Sequence, residues 1–205
     1  MGFDAGILHD TTHPLLNYHS TDVDWLDVWK KPHHPLSWFK NSCVWYSQRV
    51  TAKLGKSRFD DYVQLLGYWN QDTSGDSGLN NGLSHCWLSS SLVISPQEQL
   101  ALLNRLVSNA LPVDVNAQAN TKRIMFIEKL ENGWDLYGKT GNCSQLDRQG
   151  KKIQDRQVGW FVGFVKKDDQ VKTFVYHILD DKKYDTYASM RAKSALKLRI
   201  VGDLS

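Results

Sequence analysis

The sequence predicts an α+β domain: a helical body, then an antiparallel meander, then a closing helix. Three observations lead there. Between Ser42 and Glu128, apolar residues recur at helical spacing, with glycine or proline punctuating the segments. After the turn signal Asn132-Gly133 the pattern changes to strand-like runs at Trp134–Thr140, Val158–Val165 and Val171–Ile178. Asp185 or Thr186 then caps a last helix running through about Leu198. Helices grouped before and after the strands, rather than alternating with them, specify α+β rather than α/β.

Taken in order, Met1–Leu8 reads as the end of a helix, with Gly6 as its stop signal. It has neither the basic start nor the apolar stretch of a secretory signal. His9–Pro35 is rich in His, Pro, Asp and Asn and reads as loop. A short helical piece starts there near Thr21 or Asp22, carries Trp25, Leu26, Val28 and Trp29, and is ended by Pro32 and Pro35. Ser42–Leu54 is a helix with Val44, Trp45, Val50 and Leu54 as its apolar members, stopped by Gly55. Ser57-Arg58-Phe59-Asp60 has the form of a capping box and opens a helix through Leu66 that Gly67 closes. Tyr68–Gly82 is a polar, glycine-rich loop, and Leu83–Ile94 a short buried element holding Trp87.

Ser95-Pro96-Gln97-Glu98 marks a clear helix start: a serine cap, proline at the first helical position and a glutamate that reaches back. Leu100, Leu103, Leu106 and Val107 line one face of that helix, and Asn116–Glu128 is predicted as another. Lys166–Gln170 connects the last two strands. Asp168-Asp169 and Asp180-Asp181-Lys182-Lys183 read as solvated turns. No repeat, low-complexity stretch or composition shift divides the chain, so residues 1–205 are expected to form one domain.

Composition removes several classes of function. At 205 residues and 41% hydrophobic, with eight tryptophans, the chain can bury a sizeable core. A formal charge of +3 without a Lys/Arg block argues against nucleic acid as a partner. Cys43, Cys86 and Cys143 are an odd number without a C-x-x-C pair, and the seven histidines include no H-E-x-x-H. No metal site is expected, and no apolar run is long enough to span a bilayer.

The chemistry centres on Lys139-Thr140-Gly141, preceded by Leu136-Tyr137-Gly138 and followed twenty residues later by Gly159-Trp160-Phe161-Val162-Gly163. An ammonium and a hydroxyl on an edge strand can hold a carboxylate, and a glycine beside them lets a flat ligand lie against the backbone. Earlier in the chain stand Ser42-Cys43-Val44 and Tyr68-Trp69-Asn70. In this order, with Asp24–Trp29, Trp45–Gln48, Trp87-Leu88 and Tyr187–Arg191 in support, the sequence resembles the class D (oxacillinase-type) β-lactamases of the penicillin-recognising serine enzymes. The likeness runs from Met1 to the last helix.

That resemblance implies a β-lactamase/transpeptidase-like fold and β-lactam hydrolysis through a serine acyl-enzyme. Ser42 and Lys139 match the pair that passes a proton at the reacting centre. Thr140 and Arg191 match the contacts to the substrate carboxylate, and Gly141 the strand position beside the lactam. Trp87 matches the support for a carbamylated lysine, with Tyr68 and Asn70 beside the site. Tyr68-Trp69-Asn70 departs from the usual Tyr-Gly-Asn, which bears on the local loop. By residue type alone, Ser42 could equally cap the Ser42–Leu54 helix, Trp87 could be plain core and Arg191 an exposed helix residue.

The family's nucleophile motif, Ser-x-x-Lys, is expected on the helix whose tail is Met1–Ala5, and is absent from these residues. The resemblance therefore implies no cofactor beyond a CO2-derived carbamate on a lysine this chain does not hold. Ser37-Trp38-Phe39-Lys40 has the spacing. It lies immediately before Ser42, however, whereas the reaction needs two serines from separate segments. The expectation is a class D domain missing its amino-terminal part, and a chain without turnover as it stands. The alternative is a non-catalytic, sensor-like module that binds β-lactams or peptidoglycan. The full-length family is expected in the periplasm; these residues, with no signal peptide, would remain in the cytoplasm.

Overall fold

A computed structural model describes every residue except Arg148, Gly150 and Ser205. The chain divides into two compact units, Met1–Ile94 with Arg105–Met125, and Ser95–Asn104 with Phe126–Ser205.

The first unit is helical. Ala5 N–H donates to Met1 O (2.8 Å) and Ile7 N–H to Gly2 O (3.0 Å), closing one helical turn that Gly6 ends at φ +69°. The helical piece expected from Thr21 or Asp22 is only a 3-10 turn, Asp27–Trp29. The Asp22 carboxylate is occupied by the His19 N–H and by Arg49, which makes it a turn anchor and not a helix cap. Pro35, expected to end a helix, instead opens α1 (Pro35–Asn41), because its missing N–H costs nothing at the first position.

Helix α2 (Val44–Leu54) follows after a break at Ser42, which adopts φ 53°, ψ 40° as the C-cap of α1. Ser42 therefore does not start the second helix; Cys43 does. Helix α3 (Lys56–Leu65) begins one residue before the predicted capping box, with Gly55 as its cap residue and no side-chain cap bond. Asp60 instead accepts from Lys56 and Thr73. After α4 (Gly82–His85) comes α5 (Pro96–Val107), started as predicted: Glu98 accepts from Ser95 N–H at 2.9 Å.

Helix α6 (Val115–Ile124) is capped by Asp114, which accepts from the Asn116 and Ala117 N–H groups. It stops short of Glu128, because Phe126–Lys129 forms strand β1. There Phe126 and Ile127 favour extended backbone, and a neighbouring strand supplies ladder bonds that a helix end would lack. Trp45, Tyr46, Cys43 and Trp29 form one apolar cluster of this unit; Phe59, Val63, Leu54 and Cys86 form another.

The second unit is a four-stranded antiparallel sheet, ordered β1, β2 (Asp135–Leu146), β3 (Lys152–Lys167) and β4 (Gln170–Leu179). Strands β2 and β3 run past their expected ends. Their polar tips carry no alternation of hydrophobicity, yet they pair with each other as a ribbon. The β3–β4 turn is just Asp168-Asp169, between the paired Lys167 and Gln170, with Asp168 at φ 52°. Helix α7 (Ala188–Asp203) packs Ala192 and Ile200 against Leu136, Phe161 and Val165. Asn132 and Trp134 pin its far end through Ile200 O and Leu204 O.

Candidate active site

Strand alternation sorts the Lys139-Thr140-Gly141 motif. Leu136 faces α7, and the pairing stays regular from Asp135 to Ser144, so Gly138, Thr140 and Asn142 share the α7 face. Tyr137, Lys139 and Gly141 lie on the other face, where Tyr137 stacks on Phe164 at 4.5 Å. Strand β1 pairs only with Asp135–Tyr137, so the motif sits on the part of β2 that β1 leaves uncovered. The expected edge position is thus reached inside a sheet, because the neighbouring strand is short.

The Lys139 ammonium donates to Thr140 O at 2.6 Å. Burial pushes its pKa down to about 8, because an ammonium in poorly hydrated surroundings loses solvation that its neutral form does not need. Gly141 is exposed, opposite Trp160.

Arg191 occupies the first turn of α7. Its Nη2 donates to Asp180 Oδ1 at 2.5 Å, its Nε to Thr186 O at 3.3 Å, and its guanidinium lies 4.0 Å from the centre of the Tyr184 ring. Asp180 is the residue that sequence reasoning missed. Assigned to a solvated turn, its carboxylate is 1% exposed. Two successive acidic residues look alike in a sequence; here Asp181 faces water and Asp180 pairs with Arg191.

In the helical unit, Tyr68 and Trp87 meet on the wall of one apolar cavity of about 380 Å³, with Phe3, Trp38, Phe39 and Leu54 also lining it. Trp87 packs 5.9 Å from Phe59, and burial pushes the Tyr68 phenol up. Asn70 anchors its loop: Nδ2 donates to Ser91 O (2.7 Å), and Oδ1 accepts the Val93 N–H (3.1 Å). Trp69, where the family pattern has glycine, is 56% exposed and has no positive φ; the left-handed residue of this turn is Gln71. The loop therefore tolerates a side chain at 69 without strain.

Ser42 sits between α1 and α2, its N–H donating to Phe39 O at 3.3 Å. Ser37 is occupied elsewhere. Its Oγ accepts the His34 N–H (3.0 Å) and lies 3.1 Å from Nδ1 of the buried His33, while Lys40 of the same spacing is exposed. Among the described residues, no group of three or more His, Cys, Asp or Glu side chains could hold a metal ion, and no helix is long and apolar enough to cross a membrane.

The model of the penicillin binding protein transpeptidase domain matches residues 1–200. β-Lactamase OXA-9 of Klebsiella pneumoniae is 36% identical over 98% of this chain and 73% of its own length. This chain belongs to the class D β-lactamase family. β-Lactamase OXA-1 of Escherichia coli is also 36% identical, over 94% of the chain and 67% of its own length. Among solved structures, the OXA-427 class D β-lactamase superposes with a TM-score of 0.92 at 40% identity, covering 99% of this chain and 83% of that one. The class D enzyme of Bacillus subtilis gives 0.78 at 28% identity, covering 98% and 74%. The helical body with an antiparallel sheet and closing helix is the class D β-lactamase architecture, as the motifs implied.

Proposed function

We propose that this chain binds β-lactams through the Lys139-Thr140-Gly141 strand, as part of a serine β-lactamase site. The observation that carries this reading is the state of that strand. It combines a lysine whose pKa is lowered to about 8 with a hydroxyl on the face that receives the helix of Arg191. The planar guanidinium of Arg191 suits a lactam carboxylate, with Thr140 as the second contact. Gly141 leaves the strand edge open for the ring. Near neutral pH a fraction of Lys139 is neutral, which suits it to take up a proton during acyl transfer.

Residues 1–205 hold two Ser-x-x-Lys spacings: the serine of Ser37–Lys40 is engaged with His34 and His33, and in Ser194–Lys197 the serine is exposed on α7 while the lysine pairs with Glu128 at 2.8 Å. A lysine that takes up CO2 must be neutral and sheltered; Lys40 is exposed and does not fit. No step is assigned to a carbamate. In this proposal residues 1–205 bind lactams without turning them over, and the engagement of Ser37 favours the reading as a non-catalytic binding module. Residues 1–205 act as one functional domain in this proposal, and the protein works in the periplasm.

The test is a melting curve of the purified chain with and without millimolar benzylpenicillin. Expected are a higher Tm, no covalent adduct by mass spectrometry and no nitrocefin hydrolysis. Arg191→Met and Thr140→Val should remove the stabilisation. Absence of any lactam effect on Tm overturns the binding reading. Nitrocefin turnover abolished by Ser37→Ala overturns the assignment of that serine.

A further inference from the structure

The start of α7 is held by the sheet rather than by its own cap. Tyr187, the N-cap residue, makes no side-chain cap bond. Instead Ser189 N–H donates to Oδ1 of Asn142 on β2 (3.1 Å), and Ala188 N–H to Oε1 of Gln157 on β3 (2.9 Å). The approach is close: Asn142 pairs with Gly159, and a Cβ there would come 2.2 Å from the Ala188 carbonyl carbon. A side chain at 159 would have to push the helix away.

Asn142 lies two residues beyond Thr140 on the same strand face, and Ser189 two residues before Arg191 on the first turn of α7. One side-chain amide therefore joins the backbone carrying the hydroxyl to the backbone carrying the guanidinium. We propose that Asn142 is a positioning residue for carboxylate recognition, setting the spacing between Thr140 and Arg191 through its bond to Ser189. Gly159 permits the contact, and Asp180 with Tyr184 fixes the tilt of the guanidinium once α7 is placed. A preformed pair of donors binds a carboxylate without first having to be ordered.

This inference rests on the carboxylate reading of Thr140 and Arg191, and its test separates the two. Affinities for benzylpenicillin and for its methyl ester are measured by calorimetry on the full chain and its variants. The acid should bind more tightly than the ester in the unmodified chain. Asn142→Leu should cut that advantage by about tenfold, the worth of one hydrogen bond to a charged group, and leave ester affinity unchanged. Asn142→Asp, which keeps an acceptor for the Ser189 N–H, should retain it. If Asn142→Leu does not fold, Asn142→Ala is read the same way. An acid advantage that survives Asn142→Leu (or Asn142→Ala in its place), its loss in Asn142→Asp, or equal losses for acid and ester overturns the role of Asn142. No acid advantage in any of the proteins overturns the carboxylate reading and this inference with it.

Discussion

The helical and sheet regions place their functional residues by different means. In the sheet, Lys139, Thr140 and Gly141 owe their positions to a ladder that runs unbroken from Asp135 to Ser144, so alternation alone assigns each to a face. In the helical region, Ser42 sits in a break between two helices, and Asn70 in a loop held by side-chain bonds to Ser91 and Val93. Backbone pairing distributes the positional constraint over many hydrogen bonds, whereas a loop concentrates it in a few. The difference suggests where each half is vulnerable: the sheet to changes in packing and close approach, the loops to the loss of single polar groups.

The largest effects should come from the two cores, where the regions ought to behave alike. Trp45→Ala and Phe161→Ala each remove a side chain at most 1% exposed and should each cost about 4 kcal/mol in urea unfolding. A much smaller loss at Trp45 would mean that the helical core is poorly packed and the comparison uneven. Next come the substitutions that should separate the regions. Gly159→Ala should cost about 2 kcal/mol by forcing α7 off the sheet. Asn70→Ala should cost about 1 kcal/mol but speed amide exchange at Val93 markedly. Equal exchange at Val93 in both proteins would show that the loop does not depend on that one side chain.

The remaining effect concerns Lys139 and pH. Its folded pKa lies near 8, below the value of about 10.4 for an unfolded lysine, so between these limits the unfolded chain binds more protons. The cost of keeping this ammonium buried is complete below pH 8, and stability should recover as pH rises from about 8 towards 10. Lys139→Met should be relatively more stable near pH 7 than near pH 10. A stability difference between the two proteins that does not change over this range would contradict the lowered pKa.

The strand of the candidate site was legible because a short motif marks it. Lys139-Thr140-Gly141 and the Ser95–Glu98 capping box are local patterns, and each forms the expected local structure. The misses share a physical cause. Asp180 and Asp181 are adjacent and chemically identical; only the placement of Arg191 makes one of them a buried partner. Phe126–Lys129 continues a helical pattern, and becomes a strand only because Asp135–Tyr137 offers ladder bonds. Ser42 resembles a helix cap in type, yet caps the helix on its other side.

By itself the sequence determined the order of helices and strands, the lysine-bearing strand and the family, because hydrophobic period and short motifs are local properties. The tertiary structure alone decided that Asp180 holds Arg191 and that Asn142 and Gln157 cap α7. The same holds for Lys139 losing part of its affinity for protons. Each of these depends on groups brought together from distant parts of the chain, or on water excluded by packing, and neither leaves a mark on neighbouring residues.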